Sequence, residues 1–85
     1  MKSYDIDSCK IDASKHFVLD YMKKWDWDYT DLRSAIREAH KTEKVGKKKF
    51  EAYVRKGGDS KKIIFVYYEE FDTIFVISGS EGAKK

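Results

Sequence analysis

His16, Tyr53 and Arg55 are the residues of this chain whose types best suit acid–base and phosphate chemistry. A histidine titrates near neutrality, so His16 could accept the proton of a ribose 2′-hydroxyl or return one to a leaving oxygen. The competing reading of His16, beside Lys15 in Ser14-Lys15-His16, is a residue that caps or packs the first turn of a helix. Tyr53 and Arg55 share one face of an alternating segment, Phe50-Glu51-Ala52-Tyr53-Val54-Arg55, whose other face carries Phe50, Ala52 and Val54. Tyrosine between basic side chains on a sheet can stack a base and hold a phosphate. Lys47, Lys48, Lys49, Lys61 and Lys62 add two clusters, one on each side of that segment. Tyr67 or Tyr68 is a further stacking candidate, and Tyr67 is taken with the lysines as RNA-binding. The competing reading is a half-exposed sheet with cross-strand aromatic pairs, or a homodimer interface.

Charge is concentrated where those residues lie. The whole chain carries +3, but residues 1–39 sum to −1, residues 40–62 to +6, and residues 63–85 to −2. Such a stripe is what a phosphate backbone requires. It is equally a common protection of an edge strand. No cofactor is expected, and no metal: one cysteine and two histidines cannot build a structural zinc site, and Glu69, Glu70 and Asp72 read as turn residues. Gly57-Gly58-Asp59-Ser60 opens a strand rather than a helix, so it is no phosphate loop. Cys9 reads as a solvated thiol. The longest apolar run is six residues, Ile63–Tyr68, too short to span a bilayer, and the N-terminus is polar, so a cytoplasmic protein without membrane contact is expected.

The elements that must position these groups follow from periodicity. Eighty-five residues make one domain, with residues 1–13 poorly defined and 79–85 expected to be a disordered tail. A domain of this size buries only about 60–65% of its unfolded surface, so its many aromatics carry much of the core. Phe17, Val18, Tyr21, Met22 and Trp25 form one face of a helix over about 14–25, capped by Ser14 or Asp12. Asp28 caps a second helix over about 29–41, with Asp31 in a capping-box position and Leu32, Ala35, Ile36 and Ala39 as its apolar stripe. His40 and Lys41 would suit its C-terminal dipole. A short strand is expected near Glu43–Val45. Phe50–Arg55, the doubly apolar Ile63–Tyr68 and Thr73–Ser78 then make an antiparallel meander with Ile63–Tyr68 central.

The order of Ser14-Lys15-His16, Asp31-Leu32, Ala35-Ile36, Ile63-Ile64-Phe65-Val66-Tyr67-Tyr68 and Thr73-Ile74-Phe75-Val76-Ile77 resembles a small family of RelE-like domains related to BrnT-type toxins, over about residues 12–80. The resemblance implies an α+β fold, with two N-terminal helices packed on one face of a three- to four-stranded antiparallel meander. It also implies a domain that contacts RNA, in a lineage of metal-independent endoribonucleases whose partners include small antitoxin-like proteins. By position His16 matches the family histidine, and Arg55 lies on the strand where relatives carry a basic residue. The chain departs from the pattern at Lys24-Trp25-Asp26-Trp27, where relatives carry an arginine, and at Gly79-Ser80-Glu81, where BrnT-type toxins place a small residue and an arginine. Those departures point to a weak or inactive member. The alternative function is a non-catalytic protein-interaction or homodimerisation module using the exposed sheet face or an edge strand.

Overall fold

The computed structural model describes residues 4–56 and 59–81. It is an α+β domain built on one five-stranded sheet. In chain order the elements are β1 (Lys10–Ala13), α1 (residues 15–25), α2 (Tyr29–Arg37), β2 (Lys41–Lys44), β3 (Lys49–Lys56), β4 (Asp59–Tyr68) and β5 (Thr73–Glu81). The sheet order is β1-β5-β4-β3-β2. β2 to β5 pair antiparallel, whereas β1 runs parallel to β5, with Lys10 opposite Thr73 and Ala13 opposite Val76. Among the described residues no helix is long and apolar enough to cross a membrane.

This corrects the expected three- to four-stranded antiparallel sheet behind two N-terminal helices. The sheet is mixed, and a strand precedes the helices. Lys10–Ala13 offers only Ile11 and Ala13 as an apolar pair, and its partner lies some sixty residues on. No turn signal announces a pairing of that kind. The central place of Ile63–Tyr68 is confirmed, since β4 has a long antiparallel neighbour on each side. The tail assignment also changes, because Gly79, Ser80 and Glu81 extend β5 against Ile63, Lys62 and Lys61. β4 begins earlier than expected, with Lys56 opposite Asp59. Gly57 and Gly58, like residues 82–85 of the expected tail, fall outside the described residues.

Ser14 starts α1: its Oγ accepts the Phe17 N–H at 3.1 Å. The middle of α1, Val18–Met22, is a π turn between short α-helical turns. The wider turn brings Phe17 and Met22, five residues apart, to the same buried side. Phe17, Tyr21 and Trp25 then pack ring against tilted ring along the helix at centroid distances of 5.6 and 5.2 Å. α1 stops at Asp26, whose φ of 57° is left-handed, a conformation that Asp tolerates better than most residues. Asp28 and Asp31 close a reciprocal capping box on α2. α2 ends at Arg37, shorter than the apolar stripe suggests. His40 is therefore outside the helix, and its N–H bonds the Tyr53 carbonyl instead.

Both helices cover one face of the sheet. Phe17, Met22, Leu32, Ala35 and Ile36 bury against Ala52, Val54, Ile63, Phe65, Tyr67, Ile74 and Val76. The segment before β1 completes that layer. Tyr4 sets its ring edge-on to Phe50 and Phe65, both at 5.4 Å, and Arg33 holds the segment by donating to the Ile6 and Cys9 carbonyls. Cys9 is thereby buried rather than solvated, and burial pushes its thiol pKa up.

Candidate functional site

The register of the ladders assigns the paired strand residues to the helix-covered face or to the open one. On the open face Lys41, Tyr53, Lys62 and Ser80 form one row across β2, β3, β4 and β5. The next row is Glu43, Glu51, Ile64 and Ser78. Lys49, Val66, Phe75 and Asp12 follow, and then Tyr68, Thr73 and Lys10. Arg55, opposite Ser60, closes the far end. The face thus has a half-buried apolar floor of Ile64, Val66 and Phe75, with lysines and Arg55 around it.

Tyr53 is only 5% exposed although it stands on the open face. Lys41 and Lys62 occupy the positions on either side of it. Its hydroxyl donates to Glu51 Oε1 at 2.9 Å, two residues back on the same face. Lys62 Nζ is 3.9 Å from Glu51 Oε2, with side chains 27% and 21% exposed. Arg55 and Lys49 are exposed. Tyr53 is therefore placed to orient a carboxylate rather than to stack a base, and Tyr68, 37% exposed, is the tyrosine that offers a ring to solvent.

Two of the expected RNA-binding residues are on the wrong face. Tyr67 pairs with Ile74 on the covered side and is buried. Its hydroxyl donates to Asp72 Oδ1 at 2.6 Å, and this bond to a carboxylate, aided by burial, pushes its pKa up to about 12. Lys61 pairs with Val54 and is 6% exposed, its Nζ 5.3 Å from the centroid of the Trp25 ring. Both corrections have one cause. β4 is apolar on both sides, so its sequence does not say which alternate set faces the helices. The pairs Phe50–Phe65 and Ala52–Ile63 settle it.

Lys47 and Lys48 sit in the exposed connection before β3. Lys48 reaches Glu70 at 3.4 Å and lies 5.8 Å from the Tyr68 ring centroid. The lysine clusters do not flank the full length of β3: Lys62 pairs with Tyr53, four residues from Lys49, or about 13 Å along the strand.

His16 stands apart from Tyr53 and Arg55. It is exposed at the start of α1, in the layer on the opposite side of the sheet, and its Nδ1 lies 2.6 Å from Asp20. Its ring meets Tyr21 edge-on at 5.8 Å. These contacts are those of a residue packing the first helical turns. Sequence reasoning gave no role to Glu51, although the alternation of β3 had already put it beside Tyr53. Among the described residues no group of three or more His, Cys, Asp or Glu gathers in a way that could hold a metal ion. Comparison with protein-family models, curated proteins and solved structures finds no match to this chain.

Proposed function

We propose that the open face of the sheet binds single-stranded RNA. The observation that carries this reading is the co-location of Lys49, Lys62 and Arg55 around an apolar floor, with Tyr68 at one end, on the face the helices leave uncovered. Single strands suit such a surface because unstacked bases can lie on an aromatic ring while cations follow the backbone. The concentration of positive charge in residues 40–62 supports the same reading, and so does the resemblance to RelE-like toxins. Lys49, Arg55 and Lys62 are the phosphate ligands, Lys47 and Lys48 extend the path past Tyr68, and Tyr53 holds Glu51 in place.

The test is fluorescence anisotropy of a labelled single-stranded RNA across a salt series. The three phosphate ligands together contribute about −2 to the slope of log K against log salt. Replacing Lys49, Arg55 and Lys62 by Gln should abolish most of that slope. Replacing Lys15, Lys23 and Lys24 on the helical layer removes the same charge and should leave it. Binding that ignores salt would refute the proposal.

A second reading is favoured by Phe71, 70% exposed in the turn between β4 and β5. An exposed aromatic in that turn suits a protein partner, either a small antitoxin-like protein or a second copy of the chain. Association of that kind is little weakened by moderate salt, so the same titration separates the two readings.

A further inference from the structure

We propose that Glu51 and Lys62 read a guanine base of the bound strand, with Tyr53 as the positioning residue of the carboxylate. The inference rests on the RNA-binding reading above and adds a base preference to it. It begins from a mismatch of charge: a carboxylate among phosphate ligands repels the backbone they hold. Glu51 pairs across the ladder with half-buried Ile64, so it borders the apolar floor, where a base rather than a phosphate would lie. The Tyr53 hydroxyl donates to Glu51 Oε1 at 2.9 Å, and a phenol only 5% exposed has little freedom to let go. Oε2 faces Lys62 Nζ at 3.9 Å, beyond hydrogen-bond reach, so this oxygen has lone pairs to offer. Both side chains are partly exposed and reachable from solvent.

The two residues present a donor followed by two acceptors: the Lys62 ammonium, then Oε2, then Oε1. The Watson–Crick edge of guanine carries the complement in the same order, the O6 acceptor followed by the N1–H and N2–H donors. In a single strand that edge is open to a protein. A guanine lying on Ile64 donates N1–H to Oε2 and N2–H to Oε1, the fork that a carboxylate also accepts from arginine. Tyr53 takes one lone pair of Oε1 and leaves the other for the base. Lys62 donates to O6. The same groups reject the other bases. Adenine sets its N1 lone pair against the carboxylate, and cytosine its N3 lone pair. Uracil flanks its one N–H with carbonyls, one of which meets a carboxylate oxygen. An acceptor facing an acceptor leaves both without a donor, and selectivity comes from that penalty as much as from the bonds to guanine.

The experiment uses the full chain and fluorescence anisotropy with five short labelled oligouridylates, identical except for one central position holding G, A, C, U or inosine. The G oligonucleotide should bind about 5–150-fold more tightly than those with A, C or U, the discrimination of one bidentate base contact. Inosine keeps O6 and N1–H but lacks the 2-amino group, so its affinity should fall between. That comparison needs no variant and holds whether or not a substitution disturbs folding. Glu51→Gln should bring the G and A affinities level, and Tyr53→Phe should narrow the gap between them. A merely structural role for either residue would weaken all five oligonucleotides alike and leave that ratio unmoved. Melting curves should show both variants folded. If the wild type binds all five equally, prefers A, C or U, or holds inosine as tightly as G, this inference is overturned while the binding reading stands. A folded Glu51→Gln that keeps the G preference overturns it too. If no oligonucleotide binds, the binding reading falls with it.

Discussion

Gly79→Ala is the substitution whose outcome tests the packing of α1 on the sheet most sharply. Gly79 lies in β5 opposite Ile63 on the helix-covered face. A methyl group there would sit 3.0 Å from the Lys62 carbonyl oxygen, 3.0 Å from Phe17 Cε1 and 3.5 Å from Trp25 Cη2. The carbonyl belongs to the neighbouring strand and cannot retreat without breaking the ladder. Phe17 has no exposed surface, so its ring has nowhere to swing. Alanine would reduce the entropy of the unfolded chain, a gain of about 0.4–1 kcal/mol. Overpacking a full core costs about 1–3 kcal/mol, so the clash should win by about 1–2 kcal/mol. For a domain of this size each kcal/mol moves Tm by about 4–8 °C. Urea unfolding followed by tryptophan fluorescence reads the change directly, since Trp25 borders the added methyl. Phe17→Leu in the Gly79→Ala background should recover part of the loss, a coupling of at least about 0.5 kcal/mol. A neutral or stabilising Gly79→Ala would mean that the aromatic row of α1 does not rest on β5 as described.

Other outcomes follow from single contacts. Tyr67 holds its proton more tightly folded than unfolded, so the stability it contributes is complete below pH 10 and is lost as pH rises from 10 through about 12; the urea midpoint of Tyr67→Phe should fall less steeply than that of the wild type over this window. Asp28→Ala removes the cap of α2 and its reciprocal bond with Asp31, and should cost about 1 kcal/mol in the same unfolding assay. Arg33→Ala frees the Ile6 and Cys9 carbonyls from their common donor, so Cys9, buried in the wild type, should react faster with a thiol reagent in the variant, with unchanged reactivity refuting the role given to Arg33.

The parts of the fold legible in the sequence are those set by local chemistry. Ser14 and Asp28 identify the helix starts because their side chains cap the first free N–H groups. Alternation in Phe50–Arg55 separates the covered side of β3 from the open side, and thereby places Tyr53 and Arg55 together. What escaped was non-local. The parallel pairing of Lys10–Ala13 with Thr73–Val76 has no local signature. The identity of the inward set on β4 depends on its register with β3, so the sequence alone does not tell Tyr67 from Tyr68 or turn Lys61 toward the helices. His16 could be matched to a family position by order along the chain, but order does not say on which side of the sheet a helix start lies. Glu51 was visible beside Tyr53 all along, yet its meaning came only with the hydrogen bond between them.

The most direct test of the account is residue-resolved amide chemical-shift mapping of the protein titrated with single-stranded RNA at low salt. Binding on the open face should give shifts confined to β3, β4 and β5, centred on Lys49, Arg55, Lys62, Ile64, Tyr68 and Phe75, fading as salt is added. Shifts centred on α1 and α2, or a spectrum that does not change at all, would contradict it.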